Sequence, residues 1–182
     1  MPSMRTAVLI LFIVLLTILA PSFSFAQNIS TSSAIPKVEY ELPYPGLLPD
    51  NPLYYLKAIR DNILKFLIRD PMKKAEFDLL QSDKRLGASY ALLKKGNYDL
   101  CITTLSKSGN YFDDAIANIF KAKKQGEKVD QLLDRMITSS IKHQLVIREM
   151  QKGQKGDSLL NLRFQEARAH DFQERLEIIK SD

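Results

Sequence analysis

From residue 71 onward, apolar and small residues recur in alternating steps of three and four, through four successive segments. The first carries Met72, Ala75, Leu79, Ser82, Leu86, Ser89 and Leu93. The second carries Cys101, Leu105, Ser108, Phe112, Ala115, Ile119 and Ala122, and the third Val129, Leu133, Met136, Ser140, His143, Ile147 and Met150. The fourth, with Leu162, Gln165, Ala169, Phe172, Leu176 and Ile179, keeps the rhythm more sparsely. Such spacing puts one stripe on each of four helices, and it is the seam spacing of helices packed nearly antiparallel. Nothing in the chain reads as a strand.

Gly96-Asn97, Gln125-Gly126 and the run Gly153-Gln154-Lys155-Gly156 separate these stripes. Short turns between long helices predict antiparallel neighbours. The expected helices are 71–95, 98–124, 127–152 and 157–181, the last capped by Asp157 or Ser158. Gly109 lies inside the second stripe, where glycine costs about 1 kcal/mol against alanine. The stripe keeps its phase through Gly109, so one continuous helix is expected. Ser82, Gly87 and Ala88 are small enough to admit a close neighbour, and Leu132, Ile137 and Ile141 widen the face of 127–152.

Ahead of the stripes, residues 42–55 combine four prolines with tyrosine and leucine. Residues 42–51 cannot be helical and are too apolar for a plain linker, so they read as an extended strap. Asn51 can cap a helix with Pro52 at its first position. That helix is expected over 52–69, with Leu53, Leu56, Ile59, Ile63, Phe66 and Leu67 forming one broad apolar face. Asp70-Pro71 repeats the cap-then-proline signal and separates it from the next helix. The fold class is therefore all-α: an up-and-down antiparallel helical bundle of four to five helices, preceded by a proline-rich extended strap.

The first 26 residues have the three parts of a secretory signal. Arg5 supplies the positive region, Thr6 to Ala20 is an apolar run, and Ser24-Phe25-Ala26 offers a cleavage point before Gln27. The run is shorter than the roughly 20 residues of a membrane-spanning helix. Residues 27–41, rich in Ser, Thr and Asn, are expected to be a disordered polar spacer, and residues 42–182 the helical domain. Membrane contact follows only if the N-terminal segment stays uncleaved. The expected location is extracytoplasmic. A formal charge of +5 spread over helical faces points to no particular partner, and nucleic-acid binding would conflict with export.

Chemistry is sparse. One cysteine, Cys101, excludes an intrachain disulfide, and its apolar neighbours favour simple burial. With two histidines in the chain there is no Glu-x-x-His and no zinc-like cluster. Glu166 and His170 sit one turn apart, at most half a metal site, and read better as an exposed charge pair. Asp113-Asp114 lacks the spacing of a calcium loop. Nucleophile elbows, phosphate loops and dinucleotide fingerprints are missing, so neither catalysis nor a cofactor or metal is expected. His143 lies on an apolar stripe, where it reads first as a hydrogen-bonded core residue and second as a ligand contact. Tyr44, Tyr54 and Tyr55 cluster around the strap, as packing groups or as contacts to a partner.

The stretch Pro45-Gly46-Leu47-Leu48-Pro49-Asp50-Asn51-Pro52-Leu53-Tyr54-Tyr55-Leu56-Lys57 resembles the opening of the uncharacterised family known as domain of unknown function 5667. The resemblance continues through Asp70-Pro71, Lys73-Lys74-Ala75-Glu76 and Leu92-Leu93-Lys94-Lys95-Gly96-Asn97-Tyr98, and more weakly Lys142-His143-Gln144. It departs at Ser89-Tyr90-Ala91, where relatives are expected to be acidic and alanine-rich. The resemblance implies an exported helical domain and carries no catalytic residues. The expected function is a non-catalytic binding or scaffolding module of the cell envelope or exterior, its partner an envelope or extracellular protein or polymer. The alternative is a bundle binding a small ligand or metal ion near His143. Oligomeric state is left open by the sequence.

Overall fold

The computed structural model describes residues 39–182; the expected signal segment 1–26 and the spacer as far as residue 38 lie outside the described residues. Five helices follow in order: α1 (Tyr54–Leu67), α2 (Pro71–Lys94), α3 (Tyr98–Lys124), α4 (Asp130–Gln151) and α5 (Gly156–Ser181). No strand occurs among the described residues, and the protein is an all-α bundle.

The helix ends follow local chemistry. Asp70 accepts the Lys73 N–H at 2.7 Å with Pro71 behind it, as the cap-then-proline signal requires. Gly96 closes α2 at a φ of 77°, where the Asn97 N–H reaches Leu92 O and the Gly96 N–H reaches Leu93 O. Gly126 repeats this closure after α3 at a φ of 81°, and both positions need the left-handed backbone that glycine adopts without strain. Two expected caps are corrected. The Asn51 side chain accepts from the Leu53 N–H at 2.9 Å and closes a turn, so α1 starts at Tyr54. Helix α5 starts at Gly156 after Lys155 with no side-chain cap, and Asp157 sits in its first turn instead. Helix α3 runs unbroken through Gly109.

All four stripes from α2 to α5 turn inward. Ala75, Leu79 and Leu86 meet Leu105, Phe112, Ile119, Leu133, Met136, Ile147, Leu162 and Phe172 in one core. At its centre the Phe112 and Phe172 rings stack at 4.6 Å, while the His143 ring meets Phe112 edge-on at 5.2 Å. Ser82 and Ser108 exchange hydrogen bonds with each other's carbonyl oxygens at 2.9 and 2.8 Å, so small residues do bring α2 and α3 together.

Helices α2 and α3 form one antiparallel hairpin, α4 and α5 another. The hairpins pack with α2 beside α4 and α3 beside α5. These side-by-side pairs run in the same direction: Tyr98 bonds Ser158 O where α3 and α5 begin, and Lys123 bonds Ile179 O where they end. Consecutive helices α3 and α4 are antiparallel but lie across the bundle diagonal. The short link 125–129 therefore crosses one end of the bundle rather than joining neighbours.

Helix α1 is turned the opposite way to the four stripes. Its apolar face exists but points away from the bundle: Leu53, Leu56, Ile59, Ile63, Phe66 and Leu67 are each more than half exposed. The inward stripe is polar, and its only fully buried residue is Asp61. Lys57, Asp61 and Lys65 recur every four residues and share that inward side.

Removing the stacked ring at the core centre should be severe. Phe112→Ala is expected to cost about 3–5 kcal/mol, read as a lower urea midpoint with an unchanged slope.

Candidate functional site

Two features stand apart from a plain bundle, and both begin with carboxylates on α2. Asp83 is 2% exposed. Its Oδ2 accepts the Tyr40 hydroxyl at 2.5 Å, and its Oδ1 accepts Ser139 Oγ at 2.7 Å. His143 Nε2 lies 2.9 Å from the same Oδ1, so in this contact Nε2 carries the hydrogen and donates. Three side chains, from the N-terminal segment and α4, thus converge on one carboxylate of α2. Tyr40 and Glu41 fall in the expected spacer, yet Tyr40 is anchored in the fold. Burial first, then the Asp83 charge and the hydrogen bond to it, push the Tyr40 phenol above its usual range.

A groove of about 340 Å³ opens over this cluster, lined by Tyr40, Pro43, Glu76, Leu80, Asp83 and Arg135. His143 does not reach it. The void on the other side of His143, against Gly109, Arg168 and Phe172, has a volume near 10 Å³. That is room for one water at most. Among the described residues no three His, Cys, Asp or Glu side chains gather as a metal site. Glu166 is engaged by Arg148 and by Gln151 at 2.7 Å, while exposed His170 faces Glu174 at 3.8 Å, so those two residues do not form half a site together. Cys101 is fully buried, and burial pushes its thiol up to about 11.

The second feature is the seat of α1. Asp78 on α2 is fully buried and lies 3.0 Å from Lys65 Nζ, while Asn118 Nδ2 donates to its other oxygen at 3.0 Å. Lys65 also reaches Asp114 on α3 at 2.6 Å and sits 4.4 Å over the Tyr111 ring. Burial would push the Lys65 ammonium down, but its bonds to Asp114 and Asp78 outweigh that and raise it. Lys57 Nζ ties α1 to the preceding segment by donating to Pro45 O at 2.6 Å. The Pro45 ring faces Gly87 of α2, where an added Cβ would stand 3.8 Å from it.

These polar contacts hold α1 with its charged side inward and leave its apolar side open. Phe66 is 85% exposed and Tyr55 76%. Tyr44, at 84% exposure, lines a shallow hollow with Arg60, Lys57 and Lys84. Tyr54 is half-buried on the inward side of α1, where Lys57 Nζ lies 5.6 Å from its ring. The three tyrosines singled out in the sequence therefore divide: Tyr44 and Tyr55 present open rings, and Tyr54 packs. Asp83 and Asp78 were missed by motif reading. The available signal was their phase, since Asp83 lies four residues after Leu79 and three before Leu86, on the seam itself.

The family model described as Domain of unknown function (DUF5667) matches residues 46–139, more than half of the chain. The chain belongs to this family. The matched stretch holds all of α1, with its open face and its polar seat, together with Asp83 and Ser139; Tyr40, Tyr44, His143 and α5 fall outside it. No curated protein and no solved structure matches the chain.

Asp83→Ala should leave three donors without their shared acceptor and cost about 3–5 kcal/mol of unfolding free energy. Tyr40→Phe should cost about 1 kcal/mol near pH 8. An unfolded phenol ionises near 10, whereas the folded one holds its proton beyond that. The Tyr40 contribution is thus complete below about pH 10 and falls as pH rises towards the higher folded value. Melting curves should show the gap between wild type and Tyr40→Phe narrowing above pH 10; a constant gap would refute the assignment.

Proposed function

We propose that this protein is a non-catalytic, exported binding module of the cell envelope, and that the outward face of α1 is its docking surface. The observation behind this reading is the inversion of α1. A helix that only completes a core turns its apolar side inward, whereas here Leu56, Ile59, Ile63 and Phe66 are open while Asp61 is 1% exposed. Monomeric soluble proteins rarely leave a contiguous apolar patch beyond a few hundred Å² without a use for it. Export is supported by the sequence features of residues 1–26, and none of the described helices is long and apolar enough to cross a membrane. The Asp83 cluster has the geometry of a fastener: its acceptor oxygens are occupied by side chains of the chain itself.

Two measurements test the reading. Protease treatment of intact expressing cells, with N-terminal sequencing of the accessible product, should show an extracytoplasmic chain starting at Gln27; a protected chain in the cytosolic fraction overturns export. The paired substitution of Ile59→Ser and Ile63→Ser should leave stability within about 0.5 kcal/mol per site, because both side chains are already exposed. The same change should remove most binding of an apolar fluorescent dye. A large loss of stability would mean that the face is covered within the monomer, and the docking surface would fail.

A further inference from the structure

Helices α2 to α5 share one apolar core in which α1 takes no part. Among the described residues ahead of Pro71, Leu42 alone packs against that core. The α1 backbone approaches α2 sparsely compared with the pairing of α2 and α3, and among the described residues no backbone hydrogen bond joins it to the bundle. Its polar link to the bundle, again among the described residues, runs through Lys65 alone, paired with Asp78 at 3.0 Å and with Asp114 at 2.6 Å. The firmer anchors lie on either side of α1. Tyr40 on Asp83 and Asp50 on Lys95, at 2.5 and 2.8 Å, hold the segment before it. After it the backbone is extended at Ile68 and Asp70, and Asp70 caps α2. Helix α1 thus spans two fixed points and is fastened between them by one lysine.

Closing α1 over α2 and α3 also has a cost. Asp61 is buried, yet its hydrogen bonds go to Arg60 of the same helix rather than to the bundle. In the wall opposite, Arg85 is buried with its Nε left without a hydrogen-bond partner. Burial pushes the Asp78 carboxyl up even with Lys65 beside it. Lifting α1 returns these groups to water, and water answers them all. Against this stand the two ion pairs of Lys65 and little apolar burial, because the apolar side of α1 is already open. Once lifted, a helix of 14 residues is marginal in water, so opening and melting of α1 go together.

We propose that α1 is a salt-sensitive lid, latched by Lys65 to Asp78 and Asp114, that lifts from the polar wall of α2 and α3 while the four-helix bundle stays folded. The lifted state uncovers Asp78 and Arg85 together, an acidic and a basic group that the closed state keeps from solvent. The lid does not depend on what the outer face of α1 binds.

Native-state hydrogen exchange on the full chain, read by mass spectrometry of peptides, reports the lid directly. At low salt the α1 amides should exchange about 100-fold or more faster than the slowest amides of α3. Raising NaCl to about 1 M shortens the Debye length to about 3 Å and should quicken α1 exchange about threefold or more, with α3 and α5 unmoved. Two variants strike the latch without touching the core. Lys65→Met removes the shared cation and should quicken α1 about tenfold or more. Asp114→Asn alters the more exposed partner, which leaves folding safe, and should quicken α1 roughly twofold to fivefold. Protection of α1 equal to that of α3 overturns the lid, since α1 would then open only with the whole fold. Salt and both variants quickening every helix alike would overturn it for the same reason. Fast α1 exchange that ignores salt and both variants is fraying without a latch, and it overturns the proposal as well.

Discussion

Two carboxylates in the wall of α2 must be answered inside the fold, and much of what sets this bundle apart follows from how they are. Asp78 and Asp83 are 0% and 2% exposed. A buried carboxylate without partners is strongly destabilising, so each recruits donors from outside its own helix. Asp83 takes Tyr40, Ser139 and His143, fastening the N-terminal segment and α4 to α2. Asp78 takes Lys65 and Asn118, fastening α1 and α3. Burial still pushes the Asp78 carboxyl upward despite Lys65 beside it, so the pair is better read as a device that selects an arrangement than as a source of stability.

The four stripes were legible because their position within the helix coincides with burial. Cys101, Leu105, Ser108, Phe112, Ala115, Ile119 and Ala122 are all buried, and the corresponding stripe of α4 from Val129 to Met150 is too. Helix α1 was legible as a helix and illegible in orientation for the same reason. Periodicity says that an apolar face exists; it does not say which side meets the bundle. The rival signal was Lys57, Asp61 and Lys65 at four-residue spacing, a stripe that meant little until Asp78 and Asp114 were known to lie opposite it. Likewise the α3–α4 link gave no sign of crossing the diagonal, since a short turn fixes antiparallel direction more firmly than adjacency.

His143 shows where a single stripe position runs out of information. Its phase predicts burial, and the ring is 2% exposed between Phe112 and Asp83. Whether a buried imidazole serves a ligand depends on the space beside it, and that space is set by Gly109 and Arg168 on other helices. An added Cβ at Gly109 would stand 2.6 Å from Arg168 Nη1. Glycine there lets Arg168 lie close over α3, where Nη2 bonds Asp113 at 2.6 Å and Asn110 at 2.8 Å. The arginine fills the room that a ligand would need, which no spacing rule along α4 could reveal.

The orientation of α1 then turns on two unequal alternatives. Rotating it half a turn would bring Ile59, Ile63 and Phe66 against α2 and α3, and against an apolar wall their full burial would be worth up to about 4.5–9 kcal/mol together. The same rotation would carry Lys65 away from Asp78, leaving a wholly buried carboxylate with Asn118 alone, and removing one partner of a buried pair costs about 3–5 kcal/mol. The wall it would meet is not apolar either, because Asp78, Gln81 and Arg85 of α2 face that side, with the Arg85 guanidinium 4.1 Å over Tyr111. Apolar side chains laid on those groups would strip them of water and give no hydrogen bond back. The polar wall of α2 and α3 thus selects the charged stripe of α1, and an apolar face left open becomes a consequence of the bundle's own chemistry.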